Sequence, residues 1–155
     1  MHANHHLSIY LNDHLAGSVI ALEMLAEVTD LPTVAAVRAE IVADREVLEQ
    51  LMADLGVEIS QTRQAAAWMT EKLGKLKLHM DDPHQGALRR LELLETVAMG
   101  IGGKAALWAT LAQLPGAALP LAQALDFPAL IARAEDQFAR LEPLRFQAAQ
   151  EAFVA

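Results

Sequence analysis

Apolar residues recur at steps of three and four along most of this chain, and this spacing predicts amphipathic helices. The first periodic stretch covers residues 7–28 and ends at the sequence Thr-Asp-Leu-Pro, and the second covers residues 33–56. Gly56 follows the last periodic residue, so we expect it to cap the second helix in a left-handed conformation. The connection between the two stretches is short, which predicts an antiparallel helical hairpin.

Three more helices follow from the same periodicity. We predict a shorter helix at 60–78, a long one at 87–113 and a last one at 128–153, and no stretch shows the alternation of a strand. The inward stripe of the last helix is expected to contain Ile131, Ala134, Phe138, Leu141 and Arg145. We predict a single all-α domain over residues 1–155, with residues 1–6 disordered.

The shorter helix predicts the connectivity of the bundle. If it crosses from one hairpin to the other, the second and third main helices run parallel, which is the connectivity of ferritin-like proteins rather than of an up-down-up-down bundle. The fold expected from the sequence is therefore a ferritin-like four-helix bundle with an additional crossover helix.

Three motifs support the same assignment. They are YLNDHLAG at 10–17, EKLGKLK at 71–77, and LLE at 93–95 followed by GIGGK at 100–104 and LW at 107–108. In these motifs the chain resembles ferritin-like bacterial proteins of unassigned function. The resemblance covers most of the chain and implies the helical bundle, but it implies no catalytic residue.

Acidic residues stand where each main helix should present an apolar residue to the interior. The four are Glu23, Asp44, Glu95 and Glu135, one on each main helix. A buried carboxylate is costly unless it meets a cation, a metal ion or a hydrogen-bond donor. At 1.5 Å of rise per residue, three of them fall at a similar height with Glu40 nearby, while Glu135 lies closer to Lys104. We expect Glu23, Asp44 and Glu95 to form one interior layer, with Glu40 at its edge.

Two hypotheses explain such a layer. In the first, Arg38, Arg89, Arg145 or Lys104 neutralises the acids, and the chain is a non-enzymatic binding or assembly module that needs no cofactor. In the second, the chain is a metal-dependent oxidoreductase or hydrolase that binds a divalent ion such as Fe, Mn, Mg or Zn. Its metal-site residues would be Glu23, Glu40, Asp44, Glu95 and His14, the last as an outlying base.

The sequence favours the first hypothesis. A carboxylate-bridged metal pair in a bundle uses Glu-x-x-His on two helices, and this chain contains no Glu-x-x-His. Its six histidines lie at 2, 5, 6, 14, 79 and 84, away from the acidic level. An oxygen-only site for Mg or Mn remains compatible with the residues present.

Glycines and large side chains suggest two further features. The run from Gly100 to Lys104 has the wrong spacing for a phosphate-binding loop, and we interpret it as a close crossing with another helix or a partner subunit. A gap between helices lined by Trp68, Met99 and Trp108 would give a third functional class, a small-ligand carrier.

Composition narrows the class of protein. Hydrophobic residues make up 54% of the chain and its mean hydropathy is +0.22, so we expect a homodimer that covers apolar surface. The net charge of −8 argues against nucleic acid as a partner. No stretch has the roughly 18 apolar residues of a membrane span, and the chain lacks cysteine. We expect a cytoplasmic protein with no membrane partner.

Overall fold

Four α-helices make up most of the described chain. The computed structural model describes residues 5–28, 30–60, 86–116 and 124–154. The helices are α1 (His5–Ala26), α2 (Pro32–Asp54), α3 (Gly86–Ala112) and α4 (Phe127–Phe153). These residues contain no strand, which confirms the all-α prediction for them. The predicted crossover helix lies, apart from Ser60, outside the described residues.

Local sequence signals set the ends of the helices. Pro32 begins α2, where its fixed φ suits the first turn and its missing N–H is not needed. Gly56 has φ of 65°, as predicted, and the N–H of Val57 donates to the carbonyl of Met52 at 2.8 Å in a Schellman-type cap. Asp126 caps α4 by accepting from the N–H of Ala129 at 3.0 Å.

The helix α1 begins earlier than its apolar pattern. It starts at His5, so His5 and His6 belong to a helix, although residues 1–6 were expected to be disordered. The first turn of a helix needs no apolar side chain, and hydrophobic periodicity therefore gives no signal for it.

α1 runs antiparallel to both of its neighbours, α2 and α3. The side-chain amide of Asn12, in the first half of α1, donates to the carbonyl of Glu58 beyond the end of α2 at 3.1 Å. At the opposite end of α1, Glu27 pairs with Arg89 in the first turn of α3. The C-terminal end of α1 therefore meets the N-terminal end of α3.

α4 packs against α2 and α3 and is antiparallel to both. Arg145 in its second half contacts Glu95 in the first half of α3 at 3.2 Å, and Gln137 contacts Lys104 farther along α3. Consequently α2 and α3 point the same way, and the end of α2 and the start of α3 lie at opposite ends of the bundle. Helices that pack side by side are antiparallel, whereas the diagonal pairs are parallel.

The core consists of two apolar clusters with a polar layer between them. One cluster lies at the end of the bundle where α1 begins, with Leu11, Leu48, Met52, Trp108 and Leu111 among its members. The other lies at the opposite end, with Leu25, Val34, Val37, Leu94 and Leu141 among its members. Between them α2 presents Asp44 and α3 presents Lys104. Among the helices described, none is both long enough and apolar enough to cross a membrane.

The buried stripe of α4 differs from the predicted one. The structure buries Leu130, Ala134, Gln137 and Leu141, whereas Phe138 is 39% exposed. At positions 137 and 138 the prediction therefore placed the wrong one of two adjacent residues inside, because Gln137 is buried and Phe138 is exposed. Gln137 faces the interior because its amide group finds hydrogen-bond partners there, which a hydrophobic pattern does not register.

Candidate functional site

Only one of the four proposed interior carboxylates is buried. Asp44 is 2% exposed, whereas Glu23, Glu95 and Glu135 are exposed. The prediction that Glu23 and Glu95 join Asp44 in one interior layer is therefore wrong, and Glu135, which was expected nearer Lys104, does not face the interior either. Their positions lie at the edges of the apolar stripes, where a side chain can turn into water and avoid the cost of burial. The pairing of Glu135 with Lys104 is also absent, because Lys104 binds Asp44 instead.

Asp44 is bound by groups from two other helices. Its Oδ2 accepts from the ammonium group of Lys104 on α3, and its Oδ1 pairs with Arg133 on α4. Burial lowers the pKa of Lys104, and the hydrogen bond to Asp44 opposes that shift by favouring the charged form. Two cations thus face one fully buried carboxylate.

Gln137 connects the buried pair to a second one. It is 0% exposed, its Oε1 accepts from Lys104, and its Nε2 donates to Asp44 at 3.1 Å and to Glu40 at 3.2 Å. The amide therefore turns its oxygen to the ammonium and its nitrogen to the carboxylates, which uses both ends of the group.

The polar layer is electrically balanced. Glu40 pairs with Arg140, whose Nε also lies 2.8 Å from Asp136. With Asp44, Lys104 and Arg133, the layer has three carboxylates facing three cations. Asp44 is buried and its Oδ1 meets Arg133 as an ion pair without a hydrogen bond, whereas Asp136 is exposed. The charges of the network still balance without an additional ion.

The proposed metal-site residues are not brought together. Glu40 and Asp44 meet at Gln137, but Glu23 and Glu95 are exposed, and His14 lies on α1. Within the part of the chain that the structure describes, no three His, Cys, Asp or Glu side chains are grouped so that they could hold a metal ion.

The side chains that bind Asp44 and Glu40 were only partly predicted. Lys104 was proposed, but Arg133, Arg140 and Gln137 were not. The three are spaced by four and three residues on α4, so they share one side of that helix. This spacing, taken with the height of Asp44, is the signal that could have identified them.

The other proposed cations lie elsewhere. Arg89 pairs with Glu27, and Arg38 donates to the carbonyl of Leu22 at 3.4 Å. The guanidinium of Arg145 binds Glu142 at 2.8 Å and Glu95 at 3.2 Å near the surface. Hydrogen bonding to Arg145 lowers the pKa of Glu142. These pairs join helices but stand apart from the polar layer.

A cavity of about 170 Å³ lies between α1 and α3 and reaches the polar layer. We call it the α1–α3 cleft. Its exposed side includes Asp13 and Gly17 of α1 and Gly100 of α3, and its buried side includes Ile41 and Asp44 of α2. Its other lining residues are His14, Ser18, Ala21, Arg45, Leu48, Ile101, Gly103, Lys104, Leu107 and Trp108. Most of this lining is apolar.

Glycines create the open space of the cleft. Apart from the adjacent backbone of its own helix, an ideal Cβ at Gly17, Gly100 or Gly103 would meet no atom of the described structure within 4 Å. The close crossing with a neighbouring helix that we expected at Gly100 and Gly103 is therefore absent from this part of the chain. A partner subunit at the same place stays a prediction.

The large residues proposed for a ligand gap divide between different places. Trp108 lines the cleft and is 1% exposed. Met99 is 76% exposed and does not line it, and Trp68 lies outside the described residues. The third hypothesis therefore keeps Trp108 as its structural support.

His14 stands half-buried in the cleft. The ring of Tyr10 meets it edge-on at 4.7 Å between centroids. Burial lowers the pKa of His14, and the negative charge of Asp13 partly opposes the shift. The imidazole is consequently neutral at physiological pH.

Asn12 fixes the segment that follows α2. Its Oδ1 accepts from the N–H of Ser60 at 2.8 Å, and its Nδ2 donates to the carbonyls of Glu58 at 3.1 Å and Ser8 at 2.9 Å. One side chain of the 10–17 motif thereby ties residues 58–60 to α1. Its role is structural, and it lies two residues before His14 on the same helix.

Comparisons with known proteins add no relative. No protein-family model matches this sequence, and neither the curated proteins nor the solved structures include a significant match.

Proposed function

We propose that this chain is a non-enzymatic binding module with ferritin-like connectivity, and that its ligand is a small molecule held in the α1–α3 cleft. The observation that carries the proposal is a mostly apolar cavity beside buried charges that are already balanced by the protein. A concave apolar site with a few polar groups is the usual form of a small-molecule site.

The directions of the helices support the ferritin-like part. α2 and α3 are parallel and diagonal, and every adjacent pair is antiparallel, which agrees with two hairpins joined by a long connection. The motifs at 10–17 and 100–108, on which the resemblance to ferritin-like proteins depends, supply His14, Gly17, Gly100 and Gly103 to the cleft.

The polar layer supports a structural rather than a metal-binding role for Asp44. Lys104 and Arg133 already occupy the carboxylate, and Gln137 donates to it as well. A divalent ion would have to displace two cations that are held by their own helices. The alternative, a metal-dependent oxidoreductase or hydrolase, has no comparable support among the described residues.

Metal analysis tests this point. We expect protein purified without a histidine tag to carry substoichiometric Fe, Mn, Zn and Mg after dialysis, and we expect a chelator to leave its melting temperature unchanged. A ligand that binds only the native state raises its stability, so a chelator would lower the melting temperature of a metalloprotein. A stoichiometric metal together with that decrease would overturn the non-metal assignment.

A binding experiment tests the cleft. Toluene is a suitable apolar probe because its ring is of the size that the cavity admits. We expect saturable chemical-shift changes of the backbone amides of Gly100 and Gly103, and a higher melting temperature in its presence. Gly100→Ala should weaken this binding because its new methyl group enters the cleft.

Gly102→Ala is the matched control for that variant. Gly102 lies on the same helix, has the same open surroundings and does not line the cleft. Equal toluene binding by the two alanine variants would contradict the cleft as the site, and the absence of any saturable shift would contradict the proposed function.

We also propose that the chain forms a homodimer. Large apolar side chains are exposed on α3 and α4, among them Met99 at 76%, Phe146 and Phe153. Burying such side chains is favourable and is commonly achieved by a second copy. Analytical ultracentrifugation should give twice the monomer mass for the wild type and a lower average mass for Met99→Gln. A monomeric wild type would refute the dimer.

A further inference from the structure

Among the polar side chains of the α1–α3 cleft, His14 is the half-buried one that makes no hydrogen bond or ion pair with another described residue. The other donors near it are engaged: Lys104 by Asp44, Arg45 by Glu49 at 2.7 Å, and the hydroxyl of Ser18 by the carbonyl of Leu15 at 2.6 Å. Asp13 is exposed and can be hydrated. A bound molecule would therefore meet His14 as its free hydrogen-bonding partner.

Trp108 does not compete for this role. Its Nε1 has no hydrogen-bond partner in the described structure, but the nitrogen is fully buried, and the indole packs against Phe127 with 6.4 Å between ring centroids. A molecule in the cleft can contact the carbon atoms of Trp108 without reaching that nitrogen. Trp108 contributes apolar surface.

The protonation state of His14 restricts the ligand. A neutral imidazole has one donor and one acceptor nitrogen, and burial keeps His14 in this form. A hydroxyl group suits it because a hydroxyl can either donate to or accept from the ring. A charged ligand does not suit the cleft, since the neighbouring charges of Asp44 and Lys104 are already paired and an added charge would be desolvated without a partner.

The size and lining of the cleft restrict the rest of the ligand. Its volume of about 170 Å³ is close to that of an apolar cavity of roughly 150 Å³ that binds benzene. Ala21, Ile101 and Leu107 offer aliphatic contact, and the glycines leave the width for a flat ring. One six-membered ring with a single substituent fits these dimensions.

We infer that the α1–α3 cleft binds a small, uncharged ring molecule with one hydroxyl group, of the phenol or cyclohexanol class. The ring lies among the apolar walls between Gly17 and Gly100, and the hydroxyl hydrogen-bonds to the imidazole of His14. This inference rests on the proposed function, because it assigns the chemistry of a ligand to the cleft proposed there.

Two probes of similar size separate the inference from the proposed function. Phenol carries the hydroxyl and toluene replaces it with a methyl group, and both can be titrated into ¹⁵N-labelled protein. We expect phenol to bind about tenfold more tightly, which is the effect of one net hydrogen bond. The amides of Gly100 and Gly103 should shift with both probes, whereas that of Gly56, beyond the end of α2, should not.

Variants of His14 assign the preference to the imidazole. In His14→Leu the ratio of phenol affinity to toluene affinity should fall from about tenfold to about one, whatever happens to the toluene affinity itself. His14→Gln should regain part of the preference, because its amide group also donates and accepts. Thermal melts of the variants verify that each is folded before the titration.

Each outcome has a definite meaning. Equal binding of phenol and toluene by the wild type, or an unchanged phenol preference in His14→Leu, would overturn the inference and leave the cleft as an apolar binding site. Tighter binding of benzoate than of phenol would overturn the requirement for an uncharged ligand. Failure of every probe to bind would overturn the proposed function together with the inference.

Discussion

Lys104 on α3 binds Asp44 on α2 across the interior of the bundle, although these two helices are diagonal and do not pack against each other. Gln137 completes the contact from α4 by accepting from Lys104 and donating to Asp44. The contact therefore joins three helices at one height. The contribution of this contact to the free energy of unfolding can be measured by removing the two charges separately and together.

Removing one member of the pair should destabilise the fold strongly. Asp44→Leu leaves Lys104 buried without a carboxylate, and Lys104→Met leaves Asp44 with Arg133 as its remaining cation, so we expect each to lower the free energy of unfolding by about 3 to 5 kcal/mol. The double variant should lose clearly less than the sum, since neither Asp44 nor Lys104 is left buried without the other, and the loss of Asp44 by Arg133 is common to both variants that lack the carboxylate.

Urea denaturation of the four proteins gives this double-mutant cycle. The control is Glu49→Gln, which removes the partner of Arg45 in an i,i+4 pair near the surface, and its effect should be below about 1 kcal/mol. Strictly additive losses at Asp44 and Lys104 would mean that the two charges are not coupled.

Alanine at the open glycines should stabilise the protein in the absence of ligand. Gly100 and Gly102 lie inside α3, where glycine costs about 1 kcal/mol relative to alanine, and no described atom within 4 Å would clash with the added methyl group. We expect each variant to raise the free energy of unfolding by about 0.5 to 1 kcal/mol. A loss of stability in Gly100→Ala but not in Gly102→Ala would show that another group already fills the cleft at Gly100.

Asn12→Ala should destabilise by about 1 to 2 kcal/mol. The change removes an acceptor for the N–H of Ser60 and a donor to the carbonyl of Glu58, each of which contributes about 1 kcal/mol. Gln50→Ala, which removes an exposed i,i+4 hydrogen bond to Asp54, is the control and should have little effect. Similar melting temperatures for the two variants would contradict the role assigned to Asn12.

The pH dependence of stability should carry a contribution from His14. Burial lowers its pKa below the ordinary value for histidine of about 6.5, and Asp13 opposes the shift only in part. The unfolded chain therefore binds a proton at a higher pH than the folded one, so the stability from neutral His14 is complete above about pH 6.5 and is lost as the pH falls towards the folded pKa.

Comparison with His14→Gln isolates that contribution. The variant has no proton to bind at this position, so its free energy of unfolding should fall less than that of the wild type between about pH 7.5 and pH 5.5. Asp44, Arg45 and Lys104 also line the cleft, but they are present in both proteins. Parallel pH profiles would show that burial does not perturb His14.

The helices and their caps follow from short-range sequence signals. Periodicity located α1 to α4 within a few residues, and Gly56 was identified as a cap because a left-handed residue at a helix end is a local requirement. These features depend on neighbours in sequence, so the sequence alone suffices to predict them.

The site depends on contacts that periodicity does not encode. Successive helical residues differ by about 100°, so a residue at the edge of a stripe, such as Glu23 or Glu95, can lie inside or outside according to what surrounds it. Gln137 is buried because Lys104 and Asp44 reach its height from two other helices. The cleft is an absence of side chains on two facing helices, and glycines predict a close contact and an open space equally well.

The polar layer also has a consequence for the alignment of the helices along their axes. The apolar clusters on either side would tolerate a shift of α2 along its axis by one turn, about 5.4 Å, because one leucine can take the place of another in the packing. Asp44 would then leave Lys104 and Arg133 and face hydrocarbon instead. A single charged position thereby specifies the axial alignment of α2 with α3 and α4, the helices that carry Lys104 and Arg133.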